Sequence, residues 1–233
     1  ISSDASFNSV TVGKGANSVA NNTVLGAGAL DAAVTGNNNL AVGKDALTSH
    51  TSGSNVTAVG AFALDANTSA SNNSAFGYGS LSSNTTGTQL TAVGVNALTS
   101  NTTGNYNIAT GHAALTSNTT GQFNCAFGRV ALTSNVNGNY NNAFGDSALE
   151  TNTGSNNSAF GYQALEANIS ANNNVAVGYT ALRLNTTGTQ NVAVGAFALD
   201  ANTTANNNTA LGHISLSANT TGTENTAVGS QAL

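Results

Sequence analysis

The stretch Asn208-Thr209-Ala210-Leu211-Gly212, followed by Ser215-Leu216 and then by Asn219-Thr220-Thr221-Gly222, decides the fold of this chain. It is one copy of a 17-residue unit that recurs almost from end to end. A period this short and regular is typical of a solenoid, in which each repeat contacts only its neighbours. The first glycine of the unit marks the copies, with one shortened interval after Gly145: Gly26, Gly43, Gly60, Gly77, Gly94, Gly111, Gly128, Gly145, Gly161, Gly178, Gly195, Gly212 and Gly229.

Each copy of the unit predicts two extended segments joined by turns. We number a copy from its leading asparagine, position 0, which places the Ala-Val pair at positions 2 and 3 and the glycine at position 4. Position 3 is mostly β-branched or aromatic, which favours a short strand. Positions 7 and 8 are Ala-Leu in nearly every copy and predict a second short strand or an extended corner. The Asn-Thr-Thr-Gly segment predicts a turn.

The pattern therefore predicts an all-β chain built as a β-solenoid, or β-roll, of about thirteen 17-residue coils over residues 23–233. Residues 1–22 are predicted to form a separate coil of shorter period, because Gly13 and Gly26 are only 13 residues apart. The sequence stops at Leu233, partway through a unit. We therefore expect a solenoid that is open at its C-terminal end and is a section of a longer fibre.

Two ladders of apolar residues are predicted to fill the interior, one from position 8 and one from position 3. Successive strand residues point to opposite faces, so the alanine at position 2 would then lie outside. That placement predicts a second packed surface, such as the subunit contact of a side-by-side homotrimer that forms a rod. Alternatively, the alanines only suit a tight corner. The predicted core is Leu98, Leu115, Leu132, Leu149, Leu165, Leu182, Leu199, Val93, Phe127, Phe144, Phe160 and Val177.

Composition argues against several classes of partner. The net charge is −5 with only four Lys or Arg, so the basic footprint of a nucleic-acid-binding protein is missing. Polybasic attachment to a membrane is equally disfavoured, and no apolar run is long enough to insert into a bilayer. The single cysteine, Cys125, cannot form an intrachain disulfide and is interpreted as a small apolar filler.

Catalytic chemistry is not expected, because catalysis needs different groups that converge on one place. His50, His112 and His213 lie in distant coils and cannot share a metal ion. The acidic residues stand singly at variable positions and are interpreted as solvated charges. The sequence therefore predicts no catalytic residue, no metal site, no cofactor and no enzymatic activity.

Three repeated features are candidates for binding. A surface stripe at positions 5 and 6 is expected to hold a glycan or protein receptor, or alternatively to pack laterally: Phe62, Tyr78, His112, Tyr162, Tyr179 and Phe197. A turn ladder of asparagines in Asn-x-Ser/Thr sequences serves turn chemistry or accepts glycans: Asn84, Asn101, Asn118, Asn185 and Asn219. A file of threonines follows these asparagines, interrupted by Val136, Gly154 and Ile169.

Asparagine also precedes the strand in most copies, and this position-0 series is predicted to stack as a ladder. Identical side chains one above another add stability in stacked β structures. Val56 and Leu90 interrupt the series.

The segment Asn8-Ser9-Val10-Thr11-Val12-Gly13 resembles the Asn-Ser-Val-Ala-Ile-Gly signature of trimeric autotransporter adhesin heads, the YadA-like β-roll. The later Asn-Thr-Ala-Val-Gly units are similar to repeats of bacteriophage tail fibres and bacterial surface fibres. This resemblance implies a homotrimer of packed β-rolls. The 17-residue period exceeds that of the adhesin heads, which leaves the handedness and shape of the coil open.

We therefore expect a structural and adhesive rod of an extracellular fibre on a cell or virion surface. Its expected partners are copies of itself, as a homotrimer or an end-to-end filament, and a surface, glycan or cell receptor. Nucleic acid and membrane insertion are not expected. The alternative is an ice-binding β-solenoid that uses the stacked Thr and Asn ladders.

Overall fold

The computed structural model describes residues 4–233, so the first three residues of the predicted shorter coil lie outside it. The chain forms two compact units that divide after Thr120. Both consist of parallel β-solenoid coils, and strands at a spacing of about 17 residues mark about 12 turns over the described residues. The all-β class, the repeat length and the approximate number of coils are as predicted.

The first unit begins with two antiparallel strands and continues with six parallel ones. A single 3-10 turn, Ala16–Ser18, separates the two sets. The parallel strands pair in register, so that Ala41, Ala58 and Ala75 lie side by side. The strands are β1 Ala5–Phe7, β2 Val10–Gly13, β3 Thr23–Gly26, β4 Leu40–Val42, β5 Thr57–Val59, β6 Ser74–Phe76, β7 Thr91–Val93 and β8 Ile108–Thr110.

The second unit contains parallel strands only, again in register from coil to coil. The coil that begins at Asn141 is one residue shorter than the others. The missing residue falls in the turn, because Gly154 still accepts hydrogen bonds from Asn141 and Asn152 in the same way as its counterparts in other coils. The strands are β9 Cys125–Phe127, β10 Asn142–Phe144, β11 Ser158–Phe160, β12 Val175–Val177, β13 Val192–Val194, β14 Thr209–Leu211 and β15 Thr226–Val228.

The predicted shorter coil is wrong: the start of the described chain is an antiparallel hairpin. β1 pairs with β2, and β2 pairs antiparallel with β3. Asn8 and Ser9 both have positive φ, at 49° and 66°, which makes Asn-Ser a two-residue hairpin turn of the I′ kind. Asp4 fixes the end of the hairpin by accepting hydrogen bonds from the N–H groups of Lys14 and Gly15, at 2.7 and 2.6 Å.

The prediction of which strand face lies inside is wrong, because position 2 faces the interior and position 3 faces outward. The alanine at position 2 is fully buried from Ala41 to Ala210, whereas the residue at position 3 lies outside. The narrow interior explains the choice, because in most coils its space is already taken by the position-8 leucine and two asparagines. Five residues of the predicted core therefore belong to the surface: Val93, Phe127, Phe144, Phe160 and Val177.

The leucines of position 8 are fully buried from Leu98 to Leu199. They do not belong to a second strand. Leu98 and its counterparts adopt left-handed backbone angles, with φ of 53° at Leu98, so Ala97 and Leu98 both point inward. This conformation costs roughly 1–2 kcal/mol for a residue with a Cβ. Burial of a leucine side chain stabilises the fold by roughly 1.5–3 kcal/mol, which offsets this cost. The Leu98 N–H also donates to the carbonyl of Ala114 in the next coil, at 3.0 Å.

Glycine at position 4 is required by both its backbone angles and its neighbours. Gly178 has a φ of 139°, a region that L residues rarely adopt. A Cβ at this residue would overlap the carbonyl of Gly195 in the next coil. The recurring glycine therefore marks a place where successive coils lie too close together for a side chain.

Candidate functional site

The outer face of the strands carries a continuous apolar stripe, which we call the strand-face stripe. In the second unit, the rings of Phe127, Phe144 and Phe160 stack with centroids 4.9 Å apart at each step. Phe160 is 41% exposed and Leu211 is 47% exposed. The stripe consists of the position-3 residues Phe127, Phe144, Phe160, Val177, Val194, Leu211 and Val228.

The first unit has a stripe at the same position, and the hairpin extends it. Val12 of β2 pairs with Leu25 of β3, so the two exposed side chains lie on the same face of the sheet. Phe76 and Val93 are also exposed, at 43% and 39%. The stripe of this unit consists of Leu25, Val42, Val59, Phe76, Val93 and Thr110.

No charged residue occurs at position 1 or 3 of any coil between β3 and β15. The charged side chains lie beyond the strands instead. Arg129 and Asp146 at position 5 form a two-point ion pair, with distances of 2.8 and 3.0 Å between guanidinium nitrogens and carboxylate oxygens. This carboxylate raises the pKa of the Arg129 guanidinium. The outer strand face is therefore apolar to weakly polar and electrically neutral.

The predicted stripe at positions 5 and 6 lies on the surface and forms local aromatic groups within each unit. Tyr162 and Tyr179 stack 5.4 Å apart, and Tyr179 meets Phe197 edge-on at 5.3 Å. In the first unit, Phe62 meets Tyr78 edge-on at 5.7 Å, and His112 is exposed. Tyr162 and Tyr179 are 45% and 51% exposed, so this aromatic group lies at the surface of the unit.

A second group of exposed aromatic residues was missed by the sequence analysis. Phe123 and Tyr140 occupy position 16, just before the buried asparagine, and their rings stack 5.0 Å apart with an interplanar angle of 3°. Tyr106 holds the same position in the first unit and is 47% exposed. The signal that could have revealed them is the change from asparagine, which is the commonest residue at this position.

The predicted turn ladder is buried, not displayed. Each asparagine amide donates to the oxygen of the asparagine one coil earlier and to the carbonyl three residues ahead. Asn101, for example, donates to Asn84 Oδ1 at 2.9 Å and to the Gly104 carbonyl at 3.1 Å. Asn84, Asn101, Asn118 and Asn185 are fully buried, and Asn219 is half-buried. In the folded chain, the four buried amides are inaccessible to a glycosylating enzyme.

The position-0 asparagines form a second buried ladder beside the first. Asn174 Nδ2 donates to the Gly188 carbonyl at 2.9 Å, and Asn174 Oδ1 accepts from the Asn191 N–H at 2.9 Å. Asn185 Nδ2 donates to the same Gly188 carbonyl, also at 2.9 Å. Two amides therefore satisfy both lone pairs of one buried carbonyl, a fully paired arrangement that is favourable in a buried core.

His50 takes the place of an asparagine in the turn ladder. Its Nε2 lies 2.8 Å from the Gly53 carbonyl, and its Nδ1 lies 2.8 Å from Asn67 Nδ2. An amide nitrogen is a donor, so Nδ1 must accept and the ring must be neutral, with its proton on Nε2. Burial lowers the pKa of His50, because the charged form loses its hydration, although the bond to Gly53 opposes this effect.

The threonine file after the turn ladder uses its hydroxyls within the fold. Thr85 Oγ1 donates to the Thr102 carbonyl at 3.1 Å, and Thr186 Oγ1 donates to the Thr203 carbonyl at 3.0 Å. In the short coil, Thr153 occupies the file and donates to the Ile169 carbonyl at 2.7 Å. The interruption expected at Gly154 is therefore absent, and those at Val136 and Ile169 remain.

The three histidines lie apart: His50 is buried, whereas His112 and His213 are exposed in other coils. Among residues 4–233, no three His, Cys, Asp or Glu side chains come together in a way that could hold a metal ion. In the same described part of the chain, no helix is long and apolar enough to cross a membrane.

No known protein family, curated protein or solved structure matches this chain in comparisons of sequence and structure. The fold class therefore follows from the strand pairing and burial described above. Membership of the adhesin-head or tail-fibre families stays a prediction.

Proposed function

We propose that this chain is a structural and adhesive segment of an extracellular or virion-surface fibre, and that it associates side by side with copies of itself. The strand-face stripe is the observation that carries the proposal. It leaves an apolar residue of nearly every coil on a neutral outer face. Contiguous exposed apolar surface of this kind is typical of protein interaction sites.

A second copy of the chain fits the stripe because it has the same repeat. Strands that pair in register place successive position-3 residues about 4.8 Å apart. A partner with the same spacing can meet the stripe at every coil, whereas a partner without a repeat meets it at only a few. A homotrimer is the assembly that the resemblance to adhesin heads implies, and it is the form that we propose.

The distribution of charge supports contact between identical faces. Copies with a net charge of −5 repel each other, and apposed carboxylates would add to that repulsion. The strand face carries no charged residue, so two stripes can meet without this cost. The charged side chains at positions 5, 6 and 9 remain on other parts of the coil.

Adhesion is the second part of the proposal. Positions 5 and 6 hold side chains that differ from coil to coil, including Tyr78, Tyr162 and Phe197, on strands that repeat in register. Weak contacts presented in this way add through avidity, because each binding event raises the effective concentration of the next. The target would be a surface, a glycan or a cell.

Light scattering of the purified chain at several concentrations tests the association. We expect a mass near three times 22.9 kDa. The double variant Phe160→Asn with Val177→Asn should dissociate at concentrations where the natural chain is associated, because it places amides in the stripe. Ile169→Asn is the matched control, since this exposed residue lies in a turn and outside the stripe. A natural chain that stays monomeric at all concentrations would contradict the proposal.

A further inference from the structure

Position 16 has a backbone conformation that few residue types adopt easily, and some coils place a bulky aromatic residue there. Every described copy has a positive φ there, close to 60°. Asparagine tolerates this region better than other residues with a side chain, because its short amide can bond locally. It is the residue found in most copies: Asn21, Asn38, Asn55, Asn72, Asn156, Asn173 and Asn207.

Phe123 and Tyr140 depart from this preference in consecutive coils. Their φ values are 57° and 58°, a region in which bulky residues are uncommon. They gain little from burial, since Phe123 is 42% exposed and Tyr140 is 56% exposed. Strained residues that the core does not need point to a role at the surface.

The sequence segments that carry the ring pair are neutral and rich in carboxamides. Residues 121–128, 133–145 and 151–165 contain no Lys, Arg, Asp or Glu. Gln122 and Asn139 directly precede the two rings, and the Gln122 N–H donates to Asn139 Oδ1 at 2.8 Å. Tyr140 N–H donates to the Gln122 carbonyl at 3.1 Å, so the rings and amides are held in one register.

We infer that Phe123 and Tyr140 form the aromatic part of a binding site for a neutral carbohydrate. The inference rests on the adhesive part of the proposed function and specifies its ligand class. Aromatic rings contact the C–H faces and edges of sugars, and carboxamides both donate to and accept from hydroxyls. The segments that carry the rings hold no cation to pair with phosphate, sulfate or carboxylate groups, which favours a neutral ligand over nucleic acid or an acidic glycan.

The experiment uses the double variant Phe123→Asn with Tyr140→Asn, which restores the common residue at both positions. Binding of maltohexaose, cellohexaose, mannohexaose and laminarihexaose is measured by calorimetry and by ligand-observed NMR. We expect the natural chain to bind at least one of these neutral hexasaccharides and the double variant to bind it at least about tenfold more weakly. The variant should also melt roughly 2–4 °C higher, because the backbone strain is relieved.

The double variant Ile169→Asn with Leu184→Asn is the matched control, since it replaces two exposed apolar residues elsewhere on the same unit. It should bind the hexasaccharide as well as the natural chain does. Loss of binding in this control, with binding retained in the asparagine variant, would overturn the assigned location. A folded natural chain that binds none of the four sugars would overturn the ligand class.

Light scattering of the asparagine variant separates this inference from the proposed self-association. An unchanged mass together with lost sugar binding supports a carbohydrate site. A smaller mass than that of the natural chain would show that the rings contact another copy, and would overturn the carbohydrate assignment. A natural chain that binds sugar as a monomer would support the site while contradicting the trimer.

Discussion

The two units share one coil but differ in the continuity of their buried amide ladders. In the second unit, every position-0 residue from Asn124 to Asn225 is asparagine, and so is every position-11 residue from Asn135 to Asn219. The first unit departs from asparagine in these ladders at four residues: Ala33, His50, Val56 and Leu90. The buried leucines of position 8 are continuous in both units.

This difference shows that the coil requires the leucine ladder and tolerates interruptions of the asparagine ladders. Val56 and Leu90 remain buried, and their N–H groups still donate to the side-chain oxygens of Asn39 and Asn73, each at 3.0 Å. An apolar residue can therefore replace a position-0 asparagine where the preceding coil supplies an acceptor. The leucine ladder has no such exception from Leu30 to Leu216, because in most coils this leucine is the largest buried side chain.

The largest expected effect tests the ladder that the units share. Leu132→Asp in the second unit and Leu81→Asp in the first should each lose about 3–5 kcal/mol of unfolding free energy, because each buries an unpaired charge. Urea unfolding measures the loss. Leu184→Asp is the control, since Leu184 is exposed and should tolerate the change. Unchanged stability of both buried variants would refute the inward placement of position 8.

The next effect concerns the close approach of coils at position 4. Gly178→Ala should cost about 2–3 kcal/mol, because the residue is held at positive φ and its Cβ would meet the Gly195 carbonyl. Gly79→Ala is the control: Ala113 already occupies the equivalent position with a φ of 57°. Thermal melting of both variants measures the difference, and equal melting temperatures would contradict the steric explanation.

A smaller effect tests the contrast between the units directly. Asn174→Leu should cost about 2 kcal/mol, because it removes one donor to Gly188 and leaves the Asn191 N–H without its acceptor. The reverse change in the first unit, Leu90→Asn, should alter stability by less than about 1 kcal/mol, since it restores the common ladder residue. Equal losses in the two variants would show that the ladders do not distinguish the units.

The smallest effect is the pH dependence introduced by His50. Its pKa is lowered in the folded chain, so the unfolded state binds the proton first as pH falls below the usual histidine value near 6.5. Stability is therefore fully present above that value and declines as pH falls toward the lower folded pKa. His50→Asn should remove this decline. Urea unfolding of both chains between pH 7.5 and 5.5 measures it, and parallel curves would exclude a role for His50.

Much of the fold was predictable because it depends on local spacing. The recurrence of Gly43, Leu47 and their counterparts predicted the solenoid, the coil length and the buried leucines. The hairpin was not predicted, although Asn8-Ser9 between apolar residues is a turn signal. The hairpin was overlooked because this segment resembles an adhesin-head repeat. The left-handed leucines also escaped prediction, since leucine rarely adopts that conformation without strong tertiary support.

The candidate surface was only partly predictable. The sequence identified the aromatic residues at positions 5 and 6, but it placed Phe127 and its neighbours in the core and overlooked Tyr140. Successive residues of a strand point to opposite faces, so when two consecutive residues are both apolar, either of them could face the interior. The sequence alone does not decide which one does.

The sequence by itself determined the period, the strand at positions 1 to 3 of each repeat and the Asn-Thr-Thr-Gly turn, because these follow from backbone preferences repeated at fixed intervals. Only the tertiary structure decided which face of each strand is inside. The interior of a 17-residue coil is narrow, and in the coils from Ala41 to Ala210 its position-8 leucine and its asparagines leave room for alanine at position 2 but not for phenylalanine. The larger residues are therefore exposed, and the apolar stripe that supports the proposed function arises from this lack of space.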